Sequence, residues 1–313
     1  MACTSQVSEA PIQCSLYVSE ARHFGFFAER RPLFPASIMM TTMITTTMTT
    51  TTKIIMKTTM MMVITTTMTM KTLFLLLQIR SVFLLGEVSN ASQQTALEHE
   101  HVQFGDLLQG HFLDSYHNLS HKGVMGFRWV SLHCARVRLV VKLDDDVFFD
   151  TFKLLHRYWG HIRDKKRSMF CSLWKAHTMQ ILRDGRWTVE EKIFRNRTTF
   201  PYNYCSGLTV MMTGDMMPAL FSAAKVAPVF WIDDVYLYGI LPAIASSVTF
   251  YDVGYGNGVM DLDWKRGLNC LKEKGHDCPL LAASALREQL GAMWNETRAL
   301  YSKNKWRIPA AHV

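Results

Sequence analysis

The stretch Arg138-Leu139-Val140-Val141-Lys142-Leu143-Asp144-Asp145-Asp146 decides the fold class. A near-continuous apolar run that ends in acids and is followed by apolar residues reads as a buried strand entering a ligand-facing loop. Phe148, Phe149, Phe152, Leu155, Tyr158 and Trp159 then recur with helical spacing, which predicts a core-facing helix. Strand, acidic loop and helix in that order place Asp144–Asp146 at the carboxyl end of a strand in an α/β sheet, the end where open sheets bind ligands.

Three adjacent carboxylates repel one another, and a divalent cation relieves that repulsion. Extended geometry sends Asp144 and Asp146 to one side and Asp145 to the other. The pair suits Mn²⁺ or Mg²⁺, with the rest of the shell supplied by water and phosphate oxygens. A solvated turn that caps the next helix would use the same residues.

Working outward, Ser81-Val82-Phe83-Leu84-Leu85-Gly86 reads as a second buried strand, 93–103 and 120–137 as helices, and Asp106–Tyr116 as a loop between them. Downstream, Phe230-Trp231-Ile232-Asp233-Asp234-Val235 sets two acids behind an apolar entry. Partial desolvation there raises a carboxylate's affinity for a proton, as a general base requires, though a helix N-cap would also use Asp. Tyr202-Asn203-Tyr204-Cys205-Ser206-Gly207 offers ring faces and a glycine for close backbone approach, the make-up of either a sugar-contacting wall or a core.

The chain of 313 residues has one compositional anomaly. Residues 39–72 hold 16 Thr and 10 Met in 34 positions, without helical or strand period, so 1–72 is expected to be a disordered leader and 73–313 the domain. Six of the 34 basic and three of the 26 acidic residues lie in that leader, leaving 28 against 23, too diffuse an excess to argue for nucleic acid. The apolar run at Leu73–Leu77 is too short to span a membrane before Gln78 and Arg80 interrupt it. Sequons at Asn90, Asn118, Asn196 and Asn295 favour a secretory lumen, where the seven cysteines could oxidise. Cys270 and Cys278 flank a short polar loop and are candidates to pair.

In order, Phe83-Leu84-Leu85-Gly86, Glu98 or Glu100, Phe104-Gly105-Asp106-Leu107-Leu108, Phe112 to Ser120, Trp129, Cys134, Lys142 to Val147, Tyr204-Cys205-Ser206-Gly207 and Asp233 to Gly239 resemble the β-1,3-galactosyl- and N-acetylglucosaminyltransferases, glycosyltransferase family 31 with its Fringe relatives. The resemblance covers about residues 81–245. It implies an A-type glycosyltransferase fold, Rossmann-like, with a mostly parallel central sheet flanked by helices. It also implies inverting transfer of galactose or N-acetylglucosamine from a UDP-sugar, normally with Mn²⁺, to a glycoprotein or glycolipid acceptor in β-1,3 linkage.

By position, Asp146 would be the main metal ligand with Asp144 beside it, and Asp234 the catalytic base. Asp145, Lys142, Gly207, Asp233 and Trp231 would line the substrates. The family's setting is the Golgi, as type II membrane proteins with lumenal catalytic domains. Two departures stand out. The family's first β–α unit, with its Arg-x-x-Ile-Arg-x-Thr-Trp motif, has the Thr/Met repeat in its place, and the usual Glu-Asp-Val is Asp233-Asp234-Val235. A truncated, inactive member of the fold is therefore the alternative to an active transferase. A further metal ligand is not assigned; His276 and His312 are candidates by residue type alone. A phosphohydrolase built on the Asp triplet is disfavoured, since no Asp-x-Asp-x-Thr/Val pattern follows a first strand.

Overall fold

The computed structural model describes residues 59–67 and 76–303. Its centre is the strand read first from the sequence, β4, Val137–Asp144, buried along nearly its whole length. The other strands of the central sheet are β1 (Thr59–Thr67), β2 (Leu76–Glu87), β3 (Leu107–Leu113), β6 (Ser168–Cys171), β9 (Thr209–Thr213) and β10 (Thr249–Asp252), in the order β10-β6-β9-β4-β1-β2-β3. Five strands run one way; β1 and β9 run the other. Helices pack on both faces, and the architecture is that of the A-type glycosyltransferases.

Each face of β4 feeds its own core. Val140 joins Met61, Leu84, Phe127, Val130, Val210 and Leu220 beneath helix α2 (Leu119–His133), which supplies Phe127 and Val130, whereas helix α1 (Ala91–Phe104) sets its Leu97 in a separate cluster with Phe83, Leu85 and Leu107. Leu139, Val141 and Leu143 join Met62, Leu154, Trp159 and Leu281 on the opposite face. A strand buried on both sides needs no polar alternation, which is why β4 reads as a plain apolar run.

The Thr/Met tract corrects the expected boundary at residue 72. Thr59–Thr67 fills the middle of the sheet, paired along nine residues with β2 and also with β4. Met61 and Met62, at 1% and 2% exposure, point into opposite cores. Thr, Val and Ile favour a pleated backbone, and unbranched Met adapts to whatever space the neighbours leave. At Met61 and Met62 both faces of the strand are covered, so no polar alternation marks it there.

β1 therefore fills the place between β2 and β4, antiparallel to both. A parallel neighbour of β2 would need a crossover of about a dozen residues or more, and only eight separate Thr67 from Leu76. The rest of the expected leader, residues 1–58 and 68–72, lies outside the described residues. No helix among the described residues is long and apolar enough to cross a membrane.

Two local expectations also change. The segment 106–116 contains β3, parallel to β2, rather than only a loop. Phe148 and Phe149 belong to a strand, β5 (Val147–Phe149), before an irregular helix covers 151–162. β5 pairs antiparallel with β12 (Ala282–Ser284), and β11 (Met260–Asp261) completes a small second sheet. Against it lie helices at Trp264–Lys274 and Arg287–Lys303, with Cys270 bonded to Cys278 at their base.

Candidate active site

β4 carries Lys142 and Asp144 on one side, two residues apart, to its carboxyl end. Lys142 is 3% exposed, and burial of a lone ammonium would be costly. Its Nζ lies 2.6 Å from Asp144 Oδ1 and donates to the Gly207 carbonyl at 2.5 Å. Burial works against its charge, but Asp144, Tyr238, Asp233 and Asp234 outweigh it and hold the lysine's pKa above its ordinary value. The lysine therefore ties the two acidic motifs, 90 residues apart in sequence, into one site.

Gly207 is the joint. Its carbonyl receives Lys142, and its backbone N–H donates to Asp234. A Cβ here would overlap Asp234 Oδ1 and crowd Lys142 Nζ, so no other residue fits without displacing the carboxylate. The segment is pinned by the Cys171–Cys205 disulfide, by the pairing of β7 (Leu173–Trp174) with β8 (Tyr204–Cys205), and by Ser206 N–H donating to the Ser172 carbonyl at 2.9 Å.

Asp233 and Asp234 open a helical segment, 233–245, with a wide π-type turn at Tyr236–Ile240 that carries Tyr238 inward. Burial first, then the charge of Asp233, pushes the Asp234 carboxyl up to about 7; Lys142 and the Gly207 N–H pull the other way. Asp234 in turn helps raise the phenols of Tyr204 and Tyr238, both chiefly desolvated. The site thus holds a carboxylate that titrates near neutrality, beside a buried cation.

Asp145 and Asp146 form the turn from β4 to β5, half-buried, with the Asp146 carbonyl accepting the Ala285 N–H at 2.8 Å. Among the described residues no group of three or more His, Cys, Asp or Glu side chains is gathered for a metal. Two half-buried carboxylates on one strand end, one of them already bridged to Lys142, fit a hard cation that draws its remaining ligands from water and a diphosphate. His276 sits elsewhere, its ring against Tyr301, and His312 lies outside the described residues.

The site residues expected from sequence thus divide. Lys142, Asp144, Gly207, Asp233 and Asp234 meet in one electrostatic cluster, Asp145 and Asp146 flank it, and Trp231 stands on an aromatic rim against His117 and Tyr116. The sequence reading gave no site role to Tyr238 or to Tyr255, whose hydroxyl lies 3.2 Å from Ser206 Oγ. Of these, Tyr238 had a signal: it falls one helical turn after Asp234.

The family model described as Galactosyltransferase matches residues 62–249, from inside β1 to the start of β10. The chain belongs to the galactosyltransferase family. The match takes in every carboxylate of the site and begins within the Thr/Met tract. Relatives of this galactosyltransferase-family chain include the mouse protein named UDP-GalNAc:beta-1,3-N-acetylgalactosaminyltransferase 1, 30% identical over 164 residues, 51% of this chain and 48% of that protein. The human beta-1,3-galactosyltransferase 5 is 27% identical over 165 residues, 51% of each chain. The rat UDP-GlcNAc:betaGal beta-1,3-N-acetylglucosaminyltransferase 7 is 28% identical over 222 residues, 69% of this chain and 54% of that one. The chain spans about half the length of the curated relatives it matches.

Proposed function

We propose that the chain transfers galactose or an N-acetylhexosamine from a UDP-sugar to a hydroxyl of a glycan acceptor, with inversion and in β-1,3 linkage. The observation that carries this reading is the state of Asp234, a carboxylate brought to about 7 and aimed by the Gly207 N–H. A base is most effective when its pKa lies near the working pH. Asp234 takes the proton from the acceptor hydroxyl as that oxygen bonds to the anomeric carbon. The bond from that carbon to the diphosphate oxygen breaks on the opposite face, and UDP leaves with the electron pair.

Lys142 opposes the burial that pushes the Asp234 carboxyl up and so helps keep it ionisable, which makes it a positioning residue rather than a substrate contact. Asp144 and Asp146 would hold Mn²⁺ or Mg²⁺, which when bound neutralises charge on the leaving diphosphate. The names of the three relatives, which specify UDP-GalNAc, galactosyl and UDP-GlcNAc transfer, support the donor class and leave the choice among sugars open. The two disulfides suit an oxidising lumen, and the reading includes a Golgi-lumenal setting with membrane attachment.

The test is UDP release by the full chain supplied with each UDP-sugar and a galactoside acceptor. Asp234→Asn is expected to lower turnover by about 10²-fold or more while UDP still binds, the scale of a lost general base. Turnover equal to wild type would remove Asp234 from the role. UDP binding without turnover in the wild-type chain would instead favour the inactive member of the fold.

A further inference from the structure

Beside the carboxylates stands a second built feature that the transfer chemistry does not use. It is assembled from three separate segments. Trp231, two residues before Asp233, lies 4.4 Å from the His117 ring and 6.3 Å from that of Tyr116. Trp187 reaches in from the long 175–203 excursion and donates its indole N–H to the Tyr116 hydroxyl at 3.0 Å. The Arg186 guanidinium stands 4.9 Å over the Tyr116 ring and 5.5 Å from that of Trp187.

Each segment is fixed from behind. Arg183 donates to the carbonyls of Val189, Glu190, Ile193 and Phe194, gathering its own loop around one guanidinium. Ser120 Oγ donates to the Phe230 carbonyl at 2.6 Å, tying the approach to Trp231 onto α2. The Asn118 amide donates to the Leu113 carbonyl at 2.8 Å and steadies the turn that carries Tyr116. Yet Trp187 remains 47% exposed. Ordered aromatic faces left in water beside a group-transfer centre match the apolar faces of sugar rings.

Arg186 adds a charge preference. Among the described residues no carboxylate pairs with it, and two rings hold it by cation–π contact. A guanidinium so braced keeps donor edges for an incoming anion, and its planar fork fits a carboxylate or sulfate group in two parallel hydrogen bonds.

Resting on the transferase reading above, we propose that Tyr116, Trp187 and Trp231 form the acceptor platform and that Arg186 selects acceptor saccharides bearing an acidic group. The rings stack the sugar whose hydroxyl Asp234 deprotonates; the guanidinium takes an anion carried at C6 of that sugar.

The test uses the full chain and three acceptors of one scaffold: a neutral N-acetyllactosamine, the same disaccharide with a 6-sulfate on its galactose, and one with galacturonate in place of galactose. Both acidic forms are expected to exceed the neutral one in kcat/KM by about tenfold, the scale of one charge-assisted contact. A gain with sulfate alone or uronate alone would identify which anion the fork takes, and either supports the proposal. Arg186→Gln should bring the acidic-to-neutral ratio close to one. Trp187→Ala should lower kcat/KM for all three acceptors, with Trp187→Phe retaining most of it.

Equal kcat/KM for neutral and acidic acceptors, or an unchanged ratio in Arg186→Gln, would overturn the proposal. Absence of UDP release from every donor would sink the transferase reading instead. Calorimetric titration of the same three saccharides then decides the platform alone: preferential binding of the acidic forms, abolished in Arg186→Gln, upholds it, and equal binding refutes it.

Discussion

Asp234 is asked to be both buried enough to want a proton and ionised enough to take one. Its carboxyl, pushed up to about 7 by burial and by Asp233, predicts turnover that climbs with pH through that value, measured as kcat/KM against pH. The same shift has a stability consequence of opposite sign. Because the folded pKa lies above the ordinary carboxylate value, the folded state holds the proton that the unfolded state releases. The stability this contributes is complete below about 4 and is lost as pH rises through about 7. Water reaches part of the side chain, so the loss is roughly 1–2 kcal/mol rather than the full linkage value. Asp234→Asn should therefore flatten the fall in Tm between pH 5 and pH 8 while it removes turnover. A wild-type Tm that rises across that interval, with the Asn variant matching it, would contradict the burial of charge inferred here. Both acidic motifs were legible as residues, since acids that follow an apolar run are conspicuous. What no spacing revealed is that Lys142 holds them together, because its partners come from three places along the chain.

At the scale of elements, β1 was the least legible part of the fold. Helix α2 and strands β2 and β4 announce themselves by period or by a closed apolar run. The Thr/Met tract does neither, and its role follows only from the vacancy that β2 and β4 would leave between them, two ladders of unpaired backbone groups in the middle of a sheet. If the tract is the central strand, its two buried methionines are core residues. Met61 packs so near Gly126 that a Cβ there would meet its Cε at 2.7 Å, and Met62 lies in the opposite core with Leu139, Val141 and Leu143. Met61→Ala and Met62→Ala should each lower the unfolding free energy by about 2–4 kcal/mol, measured by urea denaturation. In a dispensable leader both substitutions would be silent, and a change under about 0.5 kcal/mol in each would remove β1 from the sheet.

Across the whole molecule, the two disulfides differ in what they restrain, and this separates structural support from support of the site. Cys270–Cys278 closes 8 residues within the C-terminal layer, around Leu271, Leu280 and Trp294. Cys171–Cys205 spans 34 residues and fastens β6 to the residue two before Gly207. Everything between them in sequence, including the excursion that presents Arg186 and Trp187, is a loop tied at its root by this bond. Loop-closure entropy assigns roughly 4 kcal/mol to the larger ring and roughly 2–3 kcal/mol to the smaller. The energies are close, but the positions are not. Without the Cys171–Cys205 bond, the chain leading into Gly207 keeps a short two-stranded ladder, one backbone contact to Ser172 and the Ser206–Tyr255 hydroxyl contact to hold the Gly207 carbonyl on Lys142 and its N–H on Asp234. Release of either contact misaligns the base and leaves Lys142 buried with less compensation. The double variant Cys171→Ser/Cys205→Ser should therefore lose turnover by about tenfold or more at a temperature where it remains folded, the scale expected when a reacting group is displaced by about 1 Å. Cys270→Ser/Cys278→Ser should lose stability of similar size yet retain most of its turnover under the same conditions. Paired measurements of Tm and kcat on the two variants provide the comparison. Equal losses of turnover at matched stability would mean that the first bond acts only on folding and that Gly207 is held by other means.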